Sequence, residues 1–265
     1  MSKMGNSFFY MSVGVRNMVR QIALWISMLV FIVSFYMVGN YIYSYVENAN
    51  ALAQIQEVYE APLQQQAATS EISLIDEPTI RPQIEKLQQI NKEIIGWISI
   101  DETKLNNPIL QADDNDFYLT HNYKGQQSRA GSIFMDYRND VALEDQHTIL
   151  YGHVMRDDRM FGALSNYADE AYAKEHKVIH VETMYGAYEL HVFAAYETTT
   201  RFYYLDTMFE GKEYGEFLQD IKGRSRIETD VTMTVADNMV TLSTCTLSED
   251  NDERFVVHAK VIPVK

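Results

Sequence analysis

The sequence has almost no cysteine: among its 265 residues the one thiol is Cys245. A single cysteine cannot form an intramolecular disulfide, so the fold does not depend on one, and a cysteine-rich metal site is excluded. The seven histidines include no HExxH motif and no closely spaced pair of the kind that binds zinc. The sequence therefore predicts no metal site.

Positive charge is also scarce, with 22 basic against 37 acidic residues and a net charge of −15. Three of the basic residues, Lys3, Arg16 and Arg20, lie in the first 46 residues, where there is no acidic residue. The rest of the chain therefore carries 19 basic and 37 acidic residues, a net charge of −18. Nucleic-acid binding needs a basic surface, so this acidic body argues against it. The simpler role of the acidic surface is solubility.

Residues 21–46 contain no charged side chain at all. A helix of this length would extend roughly 39 Å, which exceeds a membrane hydrocarbon core about 30 Å thick. The tyrosines at positions 41, 43 and 45 suit a membrane interface. We predict an uncleaved transmembrane anchor. The alternative is a cleavable signal peptide, although no clear A-x-A site follows the run.

The charges beside this run predict its orientation. Arg16 and Arg20 precede it, and Glu47 is the first charged residue after it. By the positive-inside rule, residues 1–20 lie in the cytoplasm and the chain from residue 47 onward lies outside the cell membrane. We therefore expect an extracytoplasmic substrate.

Beyond the anchor, residues 47–81 predict a stalk. Residues 47–60 have a helical pattern, and residues 61–81 form a polar linker that contains two prolines. A short helix is predicted over residues 82–94, because proline is tolerated at the first helical position. We expect one folded domain over residues 82–265.

After this helix, the pattern changes to short runs in which apolar and polar residues alternate, as in strands. The predicted strands are GWISI (96–100), NPILQ (107–111), GSIFM (131–135), HTILYG (147–152), KVIHVETM (177–184), AYELHVFAAYETT (187–199), VTMTV (231–235), MVTLSTC (239–245) and RFVVHAKVI (254–262). Helices are expected at about 160–175 and 208–223. Many short strands with few helices favour a mainly β fold, a closed or nearly closed barrel that leaves no sheet edge exposed.

Cys245 ends one predicted strand, and Arg254 begins the next, nine residues later. If the polar loop between them is tight, Arg254 returns beside Cys245, where its charge would favour a thiolate and stabilise an oxyanion. The alternatives remain open from the residues alone. A lone cysteine can be a small buried hydrophobic residue, and Arg254 can pair with acidic residues of the loop, which are Asp250, Asp252 and Glu253.

His153 ends the strand HTILYGH, and an imidazole at such a position can transfer a proton during acyl transfer. His147 at the start of that strand and His258 within a later strand are competing candidates. We interpret His147 as an ordinary polar strand start and His258 as a residue on a strand face.

Three segments resemble the sortase family of cysteine transpeptidases. TLSTC (241–245), followed nine residues later by Arg254, resembles the signature TLxTC…R. TILYGHVMRDDRMFGAL (148–164) resembles the segment around the family's catalytic histidine, and GSIFMDYRN (131–139) resembles the segment upstream of it. They occur in the expected order, and the resemblance covers roughly residues 85–265.

The resemblance is strongest to class B. The chain has a helix before the first strand and a long segment, about 200–230, that contains a predicted helix. The resemblance implies a closed β-barrel of about eight strands with N-terminal helices and a helix in the long loop before the Cys245 strand. Pilin-polymerising members usually carry a second apolar segment near the C-terminus, which is not seen here.

The resemblance also implies the chemistry. Cys245 would be the nucleophile, His153 would transfer protons, and Arg254 would hold the oxyanion or the substrate backbone. No metal or organic cofactor is expected, because the thiolate and the fixed charges supply the chemistry. The partners would be secreted proteins with a C-terminal sorting motif and a peptidoglycan amine. The expected substrate-binding residues are Ser243, Thr244, Tyr151, Asn115 and Leu119.

Three alternatives remain open. A cysteine peptidase would hydrolyse the same thioester, a pilin-polymerising sortase would join different substrates, and a membrane-tethered binding module would need no chemistry. The binding module explains least, because it gives no reason for Cys245, His153 and Arg254 to occur together.

Overall fold

The computed structural model describes residues 13–68, 81–245 and 252–264. Parts of the predicted linker (69–80) and of the loop after Cys245 (246–251) lie outside the described residues. The chain divides into two compact units, with the boundary between Glu47 and Asn48.

The N-terminal unit is helical. Helix α1 has the bounds Val13–Ala68, and its part within this unit contains the uncharged run. Large apolar side chains such as Trp25, Phe31 and Phe35 are exposed along it. By length and composition, the helical stretch Gly14–Ala61 could cross a membrane.

The second unit contains eight strands with the bounds β1 Ile94–Ser99, β2 Asn106–Leu110, β3 Ile133–Met135, β4 His147–His153, β5 Val178–Thr183, β6 Ala187–Thr199, β7 Met239–Cys245 and β8 Glu253–Pro263. They close into a barrel in the order β1-β2-β3-β4-β7-β8-β6-β5. The β2–β3 and β4–β7 pairs are parallel and the other pairs are antiparallel. The predicted closed barrel of about eight strands is confirmed.

The inside of the barrel is filled by apolar residues from all eight strands. Leu150 of β4, Leu242 of β7 and Val257 of β8 are among those fully buried there. Because successive side chains alternate between the two faces of a strand, the neighbours of these residues lie on the outer face. This alternation puts Tyr151 and Ser243 on the outside of the barrel.

Two apolar clusters cover parts of the outer face. In one, Ile55 and Tyr59 of α1 pack with Trp97 of β1, and the Tyr59 and Trp97 rings stack with centroids 4.1 Å apart. In the other, helix α4 (Glu213–Arg224) buries Phe217 and Ile221 against the sheet. Thus residues of the predicted stalk between Ala51 and Tyr59 contact the barrel.

The remaining helices are short. They are α2 (Pro82–Gln88), α3 (Glu170–Glu175), and 3-10 helices at Phe117–Leu119 and Gly162–Ala168.

Two sequence predictions are wrong in detail. The helix predicted over 82–94 ends at Gln88, because Asn91 forms a turn in which its side chain accepts from the amide of Glu93, and Ile94 already belongs to β1. The strand predicted at 231–235, a stretch that the structure describes in full, makes no ladder. Its apolar residues Val231 and Met233 instead pack against the α4 cluster.

Candidate active site

Three strands bring His153, Cys245 and Arg254 side by side. The parallel β4–β7 ladder sets His153 opposite Cys245 at its end. The antiparallel β7–β8 ladder pairs Ser243 with Val256. Cys245 lies two residues after Ser243 and Arg254 lies two residues before Val256, so the same register sets Cys245 opposite Arg254. Neighbouring strands lie about 4.8 Å apart, and opposed residues share a sheet face. The register therefore gathers the three predicted catalytic residues in one row at the end of the strands.

One nitrogen of His153 is held by the backbone. Its Nε2 lies 2.6 Å from the carbonyl oxygen of Leu119, and a carbonyl can only accept, so Nε2 carries the hydrogen. In the neutral ring the other nitrogen, Nδ1, is then an acceptor. This atom is buried and finds no hydrogen-bond partner among the described residues. An unpartnered buried nitrogen is costly, and a catalytic role is one physical reason for keeping it.

Arg254 is half-buried near the start of β8. One guanidinium nitrogen donates to the carbonyl of Glu253 at 2.8 Å, and the β6–β8 ladder places Thr198 opposite it. Asp252, one of the acidic partners considered for Arg254, forms an ion pair with Arg201 at 3.0 Å. Asp250 lies outside the described residues.

The expected substrate-binding residues Tyr151 and Asn115 meet at a carboxylate. The Tyr151 hydroxyl and the Asn115 amide each donate to Asp136 Oδ2 at 2.9 Å. Arg138 adds bonds from its backbone amide and its guanidinium at 2.7–3.0 Å. Asp136 is fully buried. Its burial acts to raise its pKa, but the bonds from Arg138 and Tyr151 outweigh this, so the pKa is lowered and the carboxyl is ionised.

Leu119 acts through its backbone, since its carbonyl fixes His153. This stretch of chain is pressed against Gly131, which has φ +57°. A Cβ on Gly131 would lie 2.6 Å from the Tyr118 oxygen and 2.7 Å from the Leu119 oxygen. The glycine is thus required both by its backbone conformation and by the close approach of the segment that orients His153.

Ser243 and Thr244 are buried beside Cys245. The Ser243 hydroxyl lies 3.1 Å from the hydroxyl of Tyr204, which belongs to the long β6–β7 connection. The Thr244 hydroxyl accepts the amide of Phe255 at 2.8 Å. In this conformation both side chains shape the surroundings of Cys245, and neither is exposed.

The competing histidines lie in a separate buried chain of hydrogen bonds. His147 Nδ1 lies 2.6 Å from the Asp206 carbonyl, and its Nε2 lies 2.6 Å from the Thr241 hydroxyl. That hydroxyl is 2.7 Å from His258 Nδ1, and His258 Nε2 is 3.0 Å from the Tyr196 hydroxyl. Only one assignment of hydrogens satisfies every bond with neutral rings, in which each group donates toward the Asp206 carbonyl.

Burial depresses the pKa of both rings, to about 4 for His147 and well below the ordinary value for His258. Both are therefore neutral near pH 7, and each ring nitrogen of these two histidines has a partner. This arrangement is structural, in contrast to that of His153.

Among the described residues, no group of three or more histidine, cysteine or acidic side chains could hold a metal ion. The residues that sequence reasoning missed are Asp136 and Arg138, which connect the segments around the row. The signal in the sequence was the Asp-x-Arg spacing at the end of a strand.

The sequence and the fold both match known proteins. The family model described as the sortase domain matches residues 98–262. Sortase B of Listeria monocytogenes is 38% identical over 235 residues, which are 88% of this chain and 92% of the relative.

Solved structures are similar over most of the chain. The Staphylococcus aureus sortase B-substrate complex has a TM-score of 0.74 and 39% identity, covering 83% of this chain and 97% of that one. A sortase B complexed with triglycine has the same TM-score and identity and covers 83% of this chain and 98% of that one.

Proposed function

This chain belongs to the sortase family, as a class B sortase, and from that premise we propose that it is a membrane-anchored cysteine transpeptidase. It would cleave a sorting motif near the C-terminus of secreted proteins and join them to a peptidoglycan amine. The observation that carries the proposal is the row of His153, Cys245 and Arg254 across three adjacent strands.

In the first half-reaction, the Cys245 thiolate attacks the carbonyl carbon of the scissile bond. Arg254 stabilises the resulting oxyanion, since a fixed cation close to developing charge lowers the barrier. The C–N bond then breaks, and the leaving amine takes a proton from His153. A thioester acyl-enzyme remains, and the C-terminal fragment departs.

In the second half-reaction, the acceptor amine attacks the thioester and gives its proton to His153. The thiolate leaves, and a new amide bond forms. The proton moves through Nδ1 in both steps, because Nε2 keeps its hydrogen on the Leu119 carbonyl. A sortase B bound to triglycine supports an amine acceptor of this kind.

Substrate binding would involve the segments beside the row. The similarity to a sortase B bound to its substrate supports a peptide lying here. Asn115 and Leu119 would line the peptide site, and Tyr151, which meets Asn115 at Asp136, would support it. Ser243 and Thr244 would hold the strand end that carries Cys245.

The long apolar helix supports an anchor at residues 21–46. We propose a single-pass arrangement with residues 1–20 in the cytoplasm. The catalytic domain would face the cell wall, where sorting substrates and peptidoglycan amines meet.

The test is a panel of fluorescent peptides with candidate sorting motifs, incubated with the protein with and without a small amine. Wild type would be compared with Cys245→Ala and His153→Gln. The expected result is cleavage that needs both residues, with an amine-linked product when amine is present. Cleavage to free acid alone, even at high amine, would favour a hydrolytic peptidase instead.

A further inference from the structure

We propose that Asp136 is a positioning residue that fixes the two segments beside the His153–Cys245 row, and thereby sets how tightly the enzyme holds its sorting peptide. The first flank is residues 113–121, and the second flank is residues 202–209. This inference rests on the proposed function, which it deepens by naming what shapes the peptide site.

The first flank is tied to Asp136 through Asn115. The Asn115 amide donates to Asp136 Oδ2 at 2.9 Å, while its oxygen accepts the backbone amide of Tyr137 at 3.1 Å. Asn115 therefore bridges the flank to the segment that carries Asp136. Four residues later in the same flank is Leu119, whose carbonyl orients His153.

The second flank is tied to Asp136 through Arg138. One nitrogen of its guanidinium, Nη2, lies 2.7 Å from Asp136 Oδ2 and 2.9 Å from the carbonyl oxygen of Leu205. The residue before Leu205 is Tyr204, which is buried with its hydroxyl on Ser243. The second flank thus reaches the strand end that carries Cys245.

The base of the site is tied to the same carboxylate. Tyr151 donates to Asp136 from β4, and the β4–β7 ladder sets Tyr151 opposite Ser243. Asp136 is therefore linked to the first flank through Asn115, to the second flank through Arg138, and to β4 through Tyr151. It does not need to touch substrate to affect binding, because it fixes the distance between the groups that would.

The negative charge of Asp136 is essential to this hydrogen-bond network. Every group around Asp136 donates a hydrogen bond, and a carboxylate can accept from all of them at once. An amide at this position has one oxygen only, and its NH2 group would face other donors. Asp136→Asn therefore keeps the size of the side chain but must release part of the network.

The test compares Asp136→Asn with Asp145→Asn. Asp145 is a suitable control because it is a half-buried carboxylate that accepts bonds from Asn139 and from the amide of Asp140 at 2.7–2.9 Å, without bonding either flank. A third variant, Arg138→Lys, keeps a positive charge beside Asp136 but loses the fork that reaches Leu205. Circular dichroism would check that each is folded.

Two readouts are needed. Hydrogen exchange of the backbone amides reports on the flanks whether or not the enzyme is active. In Asp136→Asn we expect roughly tenfold faster exchange in both flanks, and in Arg138→Lys we expect it in the second flank only.

Peptide cleavage gives KM and kcat separately, and we expect Asp136→Asn to raise KM by roughly tenfold, with a smaller fall in kcat. Asp145→Asn should change neither.

The proposal is overturned if flank exchange in Asp136→Asn equals that in Asp145→Asn, or if folded Asp136→Asn keeps the wild-type KM. If Asp136→Asn does not fold, Arg138→Lys decides, and unchanged exchange in its second flank would overturn the proposal. If wild type cleaves no peptide, the proposed function fails. The exchange result still decides whether Asp136 holds the flanks.

Discussion

One ring nitrogen of His153 is hydrogen-bonded to the backbone, and the other has no hydrogen-bond partner among the described residues. The Leu119 carbonyl accepts from Nε2 in both charge states of the ring, so only Nδ1 can gain or lose a proton. A catalytic base must be oriented as well as suitably basic, and here a backbone atom provides the orientation. In the proposed mechanism, the position of Leu119 therefore matters to catalysis even though its side chain does not react.

The close contact at Gly131 provides a test at the residue scale. In Gly131→Ala, a Cβ would strike the Tyr118 and Leu119 oxygens and shift the carbonyl that orients His153. We expect kcat/KM in peptide cleavage to fall roughly ten- to hundredfold, because small misplacements of catalytic groups have effects of this size.

The matched control is Gly125→Ala. Gly125 also has a positive φ, at +72°, but a Cβ there meets nothing within 4 Å. Both variants carry the backbone strain of alanine in the left-handed region, about 1 kcal/mol, and only Gly131→Ala adds the clash. Equal activity in the two variants would contradict the role assigned to Leu119.

At the scale of elements, α1 residues between Ala51 and Tyr59 pack against the barrel. Ile55 is fully buried, and Tyr59 stacks on Trp97. We expect Ile55→Ala to lower the free energy of unfolding of the unit that contains the barrel by about 2–4 kcal/mol, as for other buried large-to-small changes. Denaturant unfolding would measure it.

The control is Glu57→Ala on the exposed side of the same helix, which should change stability by less than about 0.5 kcal/mol. A similarly small effect of Ile55→Ala would show that this part of α1 contributes little to the domain.

Some strands were predicted correctly from the pattern of apolar and polar residues, and others were not. The bounds of β6 and β7 were predicted correctly because both runs are rich in apolar and β-branched residues, which alternate with polar ones at the start of β6 and are continuous over residues 192–196. Residues 231–235 alternate as well, yet the barrel closes without them. The parallel pairing of β4 with β7 was not predictable, since it joins segments far apart in sequence. That pairing is what brings His153 to Cys245.

At the scale of the whole molecule, the buried His147 and His258 make stability depend on pH. An unfolded histidine has a pKa of about 6.5, whereas burial lowers the pKa of both rings in the fold. Below about pH 6.5 the unfolded chain binds more protons than the folded one, so stability falls as pH drops from 6.5 toward 4. Each histidine contributes up to about 1.4 kcal/mol per pH unit.

Denaturant unfolding at pH 7, 6 and 5 would measure this dependence. Carboxylates with lowered pKa, such as Asp136, lose their stabilising effect mainly at lower pH, nearer the unfolded aspartate value of about 3.9. His258→Gln should reduce the slope between pH 6 and 5 by about half, since it removes one of the two buried rings. A flat profile in wild type would contradict the neutral hydrogen-bonded chain.

The candidate site was predictable in part from the sequence. Cys245, His153 and Arg254 were identified through family resemblance, and their adjacency follows from strand register. The Asp136–Arg138 spacing is visible in the sequence, but its links to Asn115 and Leu205 were not predictable, because those residues come together only when the chain folds. The contact between the Leu119 carbonyl and His153 was not predictable either, because every residue has a backbone carbonyl and the side chain does not reveal which one is used.

The most direct test of the proposed transpeptidase is the mass of the intact protein during turnover. Wild type is mixed with a cleavable sorting peptide, quenched in acid within seconds and analysed by mass spectrometry. We expect a mass increase equal to the N-terminal peptide fragment, located on Cys245 and lost when a small amine is added. Cleavage of the peptide that proceeds without this adduct, and that persists in Cys245→Ala, would contradict nucleophilic catalysis by Cys245.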